Sequence, residues 1–240
     1  MTATRSSLGA EHLLGRAFER RLRSNPDQLQ LPNRIEIVRE MESLQGRPDL
    51  VVTPSVLSAA INRDRIAIGK TIGRPSSAKI LSLLSLVVPR TTRYLEGKTR
   101  LTQRTLSTRL RELDAVGLVR LSTSTKVLAT RRFAMACIPL WAFEYKLSLT
   151  QRALFQALQY RAFAEKTFII VPENEIDRPR NLGIIRQHSV GCISIDKKGR
   201  FTILSVANSR SPLSRYQYLY ALGQFLCKRS SAHAGSFGRH

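Results

Sequence analysis

Leu106, Leu110, Leu113 and Val116 recur at three- and four-residue spacing between Thr102 and Gly117. That period predicts an α-helix with one buried face, with Thr102 as its N-cap and Gly117 as its C-cap. The opposite face is polar and cationic: Arg104, Thr105, Thr108, Arg109 and Arg111. Leu118 to Ser122, a Thr-Ser turn and Lys126 to Phe133 then read as two strands with a basic tip. Upstream, Ile80, Leu83, Leu84 and Val87 mark a helix face within Ser76 to Val88, and Thr91 to Gly97 fits a second short helix. Three helices followed by a hairpin is the order expected.

Charge concentrates on the same stretch. The chain of 240 residues has 39 Lys and Arg against 17 Asp and Glu, a net charge of +22. Residues 55–133 hold 16 basic and 4 acidic groups, residues 1–54 hold 8 and 7, and residues 134–240 hold 15 and 6. An excess far beyond what solubility needs suits a polyanion, and its peak coincides with the helix-hairpin pattern. Cys137, Cys192 and Cys227 are solitary, and His12, His188, His233 and His240 are scattered, so neither a disulfide framework nor a zinc site is readable. With no apolar signal core and no apolar run long enough to span a bilayer, the expectation is a cytoplasmic, nucleoid-associated protein without a membrane partner.

Around this centre the pattern changes. Leu14, Phe18 and Leu22 give a first helix over about Ser7 to Arg23, stopped by Asn25-Pro26-Asp27. Arg34 to Glu42 and Arg47 to Val52, joined by a turn at Ser43 to Gly46, predict a β-hairpin. Val56 to Ile61 fits a short helix, and Gly69 to Pro75 reads as a linker. After Ala134 come an apolar strand ending in Glu144-Tyr145-Lys146, a helix over about Thr150 to Ala164 and a buried strand from Phe168 to Val171. Leu182 to Ile185, Val190 to Asp196 and Arg200 to Val206 add strand or helix-strand material, with a hairpin turn at Lys197-Lys198-Gly199. Pro212 to Cys227 reads as a closing helix, and the polar tail from 229 to 240 as disordered.

The run from Leu101 to Val119 resembles the recognition helix and first wing strand of bacterial winged-helix transcription regulators. The resemblance implies that the N-terminal part of the helix enters the major groove of duplex DNA, where Arg104, Thr105, Thr108 and Arg109 meet base edges, with Arg111 on the same DNA-binding face. Arg120, Lys126, Arg131 and Arg132 would lie on the wing and neutralise phosphates. A winged helix used for protein contacts, with a solvated charged face, is the plainer alternative.

A second resemblance concerns the flanking segments. Pro48-Asp49 at the start of an apolar strand, then Glu144-Tyr145-Lys146 at the end of another, followed by Gln156 and Tyr160 on the next helix, resembles the PD-(D/E)xK nuclease superfamily. Alternate strand residues share a face, so Glu144 and Lys146 point together and Tyr145 points away. The resemblance implies that Asp49 and Glu144 hold Mg²⁺ or Mn²⁺, that Lys146 orients or activates the attacking water, and that Gln156 belongs to the catalytic set. It also makes Glu11, on the apolar face of the first helix, an additional metal-ligating acid. A strand-end ion pair for Glu144 and Lys146, a turn residue for Asp49, packing for Tyr160 and a surface amide for Gln156 are the plain alternatives. A second Glu-x-Lys, Glu96-Gly97-Lys98, falls where no strand is expected.

The pattern departs from the family in one respect: about 95 positions separate Asp49 from Glu144, where a short hairpin is usual. An inserted domain accounts for the gap. The expectation is therefore an α/β chain: a restriction-endonuclease-like mixed sheet flanked by helices, made of residues 1–54 and 134–240, interrupted by a winged helix at 55–133. Its function would be metal-dependent cleavage of duplex DNA, with a homodimer left open. The rival is a DNA-binding regulator whose nuclease-like fold is catalytically silent, and an RNA-binding protein is a third reading.

Overall fold

The computed structural model describes residues 4–123, 125–175, 179–196 and 198–228. Helix α1 (Thr4–Ser24) carries Leu14, Phe18 and Leu22 on its buried face and ends with Arg21 and Arg23 in its last turn, where cations suit the helix dipole. A 3-10 turn, Pro26–Leu29, closes at Gln30 in the left-handed region and leads into β1 (Glu36–Arg39). β2 (Leu50–Thr53) pairs antiparallel with β1, Ile37 opposite Val52 and Arg39 opposite Leu50, and the turn between them is closed by Ser43 and Gly46.

The next segment is mostly helical: α2 (Ala59–Arg63), α3 (Arg65–Ile72) and α4 (Pro75–Leu83), then β3 (Arg90–Thr91), α5 (Thr92–Thr99) and α6 (Gln103–Ala115). A hairpin of β4 (Val119–Thr123) and β5 (Lys126–Ala129) follows, with β3 added to form a three-stranded sheet in the order β3-β5-β4. Short helix α7 (Arg131–Ala136) returns the chain to the main sheet. Thr91, Thr102 and Thr130 each cap a helix by accepting from the backbone N–H three residues on, which satisfies an otherwise orphaned donor.

β6 (Trp141–Tyr145), α8 (Gln151–Tyr160), β7 (Lys166–Pro172), α9 (Pro179–Gln187), β8 (Gly191–Ile195), β9 (Phe201–Ser205) and α10 (Arg215–Cys227) complete the described chain. The main sheet has six strands in the order β1-β2-β6-β7-β8-β9. β6, β7 and β8 run parallel, joined through α8 and α9, since parallel neighbours need crossovers; the other pairs are antiparallel. The chain is thus α/β, with a mixed sheet flanked by helices. No helix among the described residues is long and apolar enough to cross a membrane.

Alternation sorts the strands onto two faces. Leu50, Val52, Trp141, Phe143, Tyr145, Phe168 and Ile170 face α1, with Phe143 stacked on Phe168 at 4.8 Å. On the other face Ile169, Val171 and Cys192 pack under α8 and α9. Val51 and Ala142 join a larger cluster that takes in Leu106, Leu110 and Leu113 of α6 and Leu219, Leu222 and Phe225 of α10. The boundaries expected at 54 and 133 therefore lie on chain that feeds a common core, in which α10 packs on α3 and α4.

Several local expectations change. Gly69 to Pro75 is no linker: α3 runs through Gly69, because a residue without Cβ lets α10 approach so closely that an added Cβ would stand 2.7 Å from the Cys227 nitrogen. The helix expected to reach Val88 stops at Leu83; the Ser85 hydroxyl accepts from the Val87 and Val88 N–H groups, and Val87 is 82% exposed. Arg131 and Arg132 lie on α7 rather than on a wing strand, since the Thr130 cap starts a helix there and Arg132 pairs with Asp64. The strand expected from Ala134 begins at Trp141. Lys197 in the expected hairpin turn, and the tail from 229 with His233 and His240, lie outside the described residues.

Candidate active site

β2 starts beside the end of β6. The pair Leu50–Phe143 fixes the register, so Asp49 stands opposite Glu144, one step beyond it. The Tyr145 N–H donates to Asp49 Oδ2 at 2.6 Å, which ties the carboxylate to the strand end. Glu144 is only 3% exposed, and both of its oxygens are engaged. Lys146 Nζ pairs with Oε1 at 2.7 Å, and the Tyr160 hydroxyl donates to Oε2 at 2.9 Å. A buried carboxylate needs such partners, because leaving it uncompensated is expensive.

The electrostatics follow. Burial, then the negative charge of Glu144, pushes the Asp49 carboxyl up to about 6, against the pull of the Tyr145 N–H and Lys146; Glu11 adds to the rise. The Tyr160 hydroxyl is raised well above its ordinary range, by burial first and by Glu144 second, so it remains a protonated donor. Gln156, one helical turn before Tyr160, is half-buried, and its Oε1 has no hydrogen-bond partner. The sequence-derived set Asp49, Glu144, Lys146 and Tyr160 is thus assembled in one place, with Gln156 on the adjoining turn of α8.

Glu11 stands on the other side of Asp49, where α1 and the β1–β2 hairpin enclose a cavity of about 660 Å³ that both residues line. Among the described residues no group of three or more His, Cys, Asp or Glu side chains gathers to hold a metal, so Glu11 does not form one cluster with Asp49 and Glu144. The two carboxylates nevertheless fit a hard divalent cation. Mg²⁺ is commonly held by one or two carboxylates with water completing the shell, and the Glu144 charge, second to burial among the causes that raise Asp49, is one that a cation would offset.

Three residues of this region escape sequence reading. Glu19, 5% exposed, receives Arg39 through Nε and Nη2 at 2.7–2.9 Å. Tyr145, expected merely to point away from Glu144, lines the cavity, and Lys228 reaches it from the end of α10. A signal for Glu19 was present: Glu11, Gly15 and Glu19 recur every four residues and so share a stripe of α1.

The expected DNA-contacting residues divide in two. Arg104, Thr108 and Arg111 form one exposed stripe of α6, while Arg120, Lys126 and Arg131 are exposed on β4, β5 and α7. Thr105 is half-buried, and its Oγ1 and N–H belong to the Thr102 cap. Arg109 is drawn off by Glu112 within α6, and the same carboxylate binds Arg74, the N-cap residue of α4, at 2.6 Å, so Glu112 is the residue that links the two helices. No protein-family model, curated protein or solved structure matches the chain.

Proposed function

We propose that this protein is a divalent-metal-dependent nuclease of the PD-(D/E)xK, restriction-endonuclease-like type, interrupted by a winged helix-turn-helix that brings it to duplex DNA. The observation that carries the reading is the meeting of Asp49, Glu144 and Lys146 at the ends of adjacent strands, although about 95 positions of sequence intervene. The succession of α1, the β1–β2 hairpin, antiparallel β6, α8 and parallel β7 supports it, as does the exposed cationic stripe on α6.

Asp49 and Glu144 would hold the cation. Bound there, it supplies charge neutralisation for the pentavalent transition state and a lower pKa for the attacking water. Lys146, anchored on Glu144, presents its ammonium to the water and to the phosphate oxygens, where charge builds during attack. Tyr160 fixes the second Glu144 oxygen and so aims the carboxylate. Hydrolysis forms one P–O bond to water and breaks one P–O ester bond, the departing oxygen taking a proton. On the helical segment, Arg104, Thr108 and Arg111 meet base edges, and Arg120, Lys126 and Arg131 meet phosphates.

Incubation with supercoiled plasmid and linear duplex in Mg²⁺, Mn²⁺ or EDTA tests the reading. Nicking is expected only with metal, and Glu144→Ala, Asp49→Ala or Lys146→Ala should lose on the order of 10²-fold or more in rate while keeping DNA affinity. Equal cleavage by Lys146→Ala and wild type would remove the enzymatic assignment. Binding without cleavage under every metal condition would instead identify a regulator with a silent nuclease-like fold.

A further inference from the structure

Between the last turns of α1 and the turn from β8 to β9 lies a cavity of about 270 Å³ that the cleavage chemistry does not use. Its wall is Ala17, Arg20, Arg21 and Ser24 on the helix, with Lys198 and Gly199 on the turn. The four α1 residues follow at three- and four-residue spacing and so form one stripe of the helix. The turn is fixed from within. Asp196 Oδ1 accepts from the Lys198 and Arg200 N–H groups, each at 2.8 Å, and Oδ2 takes the Arg200 guanidinium at 2.7 Å. The acid of the turn is thereby spent on Arg200, and the Lys198 ammonium is left to the cavity.

Charge sets this cavity apart. Among the described residues three cationic side chains line it and no carboxylate does, and none of Arg20, Arg21 and Lys198 pairs with an acid. Like charges drawn around one cavity repel, and an anion between them offsets that cost. The α1 dipole favours a cation in its last turn, but it does not bring a lysine to the same place from a different element. Arg20 and Lys198 are exposed, so both charges are open to an entering ligand. Position ties the cavity to the candidate active site. β6, β7 and β8 run parallel, so the strand end that carries Glu144 and Lys146 shares an edge of the sheet with the β8–β9 turn, roughly 10 Å away at two strand spacings. α1 spans the same interval: Gly15 packs on the Tyr145 ring, and Arg21 lies about 9 Å further along the helix.

We propose that this cavity is a backbone-phosphate subsite: Arg20, Arg21 and Lys198 take an internal phosphodiester of the duplex a short way from the bond that is cleaved. The inference rests on the nuclease reading for the identity of the polyanion and on the cavity for the site. Guanidinium and ammonium groups are the usual donors to phosphate oxygens, and such a contact fixes the register of the duplex without reading its sequence. With one phosphate held by α1 and the β8–β9 turn, the scissile phosphate is set against Asp49, Glu144 and Lys146 at the same edge of the sheet.

The test is binding of a fluorescent duplex oligonucleotide in EDTA, where no cleavage can contribute. The double variant Arg20→Gln, Lys198→Gln should bind about tenfold more weakly than wild type and flatten the dependence of log affinity on log salt by roughly one ion. Both side chains are exposed and unpaired, so the melting temperature should hold. Arg161→Gln, Arg210→Gln removes the same charge at the opposite edge of the sheet, where β7 begins, and should cost less than about twofold. Replacing single backbone phosphates by uncharged methylphosphonates should reveal one internal position that weakens wild type and leaves Arg20→Gln, Lys198→Gln unmoved. Wild-type affinity in that variant, an equal loss in the Arg161, Arg210 control, or the same methylphosphonate profile in both proteins would overturn the subsite, as would a dependence on a 5′-terminal phosphate. A plasmid left intact in every metal would remove the nuclease reading, while the methylphosphonate profile in EDTA would still decide whether the cavity takes a phosphate. Failure of wild type to bind the duplex at all would overturn both.

Discussion

Asp49 is where burial and ionisation oppose each other at the scale of one residue. Its carboxyl, raised to about 6 in the folded chain, has an ordinary value near 4 when unfolded. The folded state therefore binds the proton more tightly, and stability falls as pH rises from about 4 through about 6, with the penalty fully present at neutral pH. A shift of this size costs on the order of 3 kcal/mol. Asp49→Asn keeps an oxygen for the Tyr145 N–H and removes the charge, so it should melt higher than wild type near pH 7.5 and lose that advantage near pH 4. Added Mg²⁺ should raise the melting temperature of wild type at the higher pH and leave Asp49→Asn unmoved. A pH-independent difference between the two proteins would contradict this account. Asp49, Glu144 and Lys146 were legible in the sequence because a motif spells them, whereas the Glu19–Arg39 pair spans twenty positions and exists only once α1 has docked on β1.

Among elements, the contact of α3 with α10 decides whether the sheet and the helical segment share a core. Gly73 and Gly223 meet there backbone to backbone, and a Cβ at Gly223 would overlap the Gly73 nitrogen. Neither partner is the flexible end of a side chain, so the helices must separate. Gly223→Ala should therefore destabilise the fold by about 2 kcal/mol or more, read by urea unfolding. Gly97→Ala in α5, where nothing stands within 4 Å, should instead stabilise it by about 0.5–1 kcal/mol. If the two substitutions behave alike, the close helix contact is not what requires Gly223. The same glycines explain the sequence misreading at 69–75: glycine and proline are usually punctuation, and only the partner helix, some 150 residues away, reveals them as a packing surface. The α6 stripe and the Thr102 and Gly117 caps were legible for the opposite reason, since periodicity and capping are local.

On the scale of the whole molecule, exposure and pairing divide the arginines behind the charge excess of residues 55–133 into those left open to solvent and those that build the fold. Sequence alone grouped Arg104, Arg109 and Arg111 together, because it shows which helix face a residue occupies but not which of them Glu112 will claim. Arg104 and Arg111 are exposed, while Arg109 is spent on Glu112 and, through it, on Arg74. The double substitution Arg104→Ala, Arg111→Ala should weaken duplex binding about tenfold or more and reduce its preference among sequences, whereas Arg120→Ala, Lys126→Ala should flatten the dependence of log affinity on log salt by roughly two ions. Arg109→Ala removes an ion pair within α6 and leaves the Glu112–Arg74 link to α4 in place, so it should lower the melting temperature only slightly, with the salt slope close to that of wild type. Titrations of the three variants at several salt concentrations separate these roles. A salt slope lost with Arg109→Ala and kept with Arg120→Ala, Lys126→Ala would mean that the Arg109–Glu112 pair opens on binding, and that a face other than the β4–β5 hairpin carries the phosphate contacts.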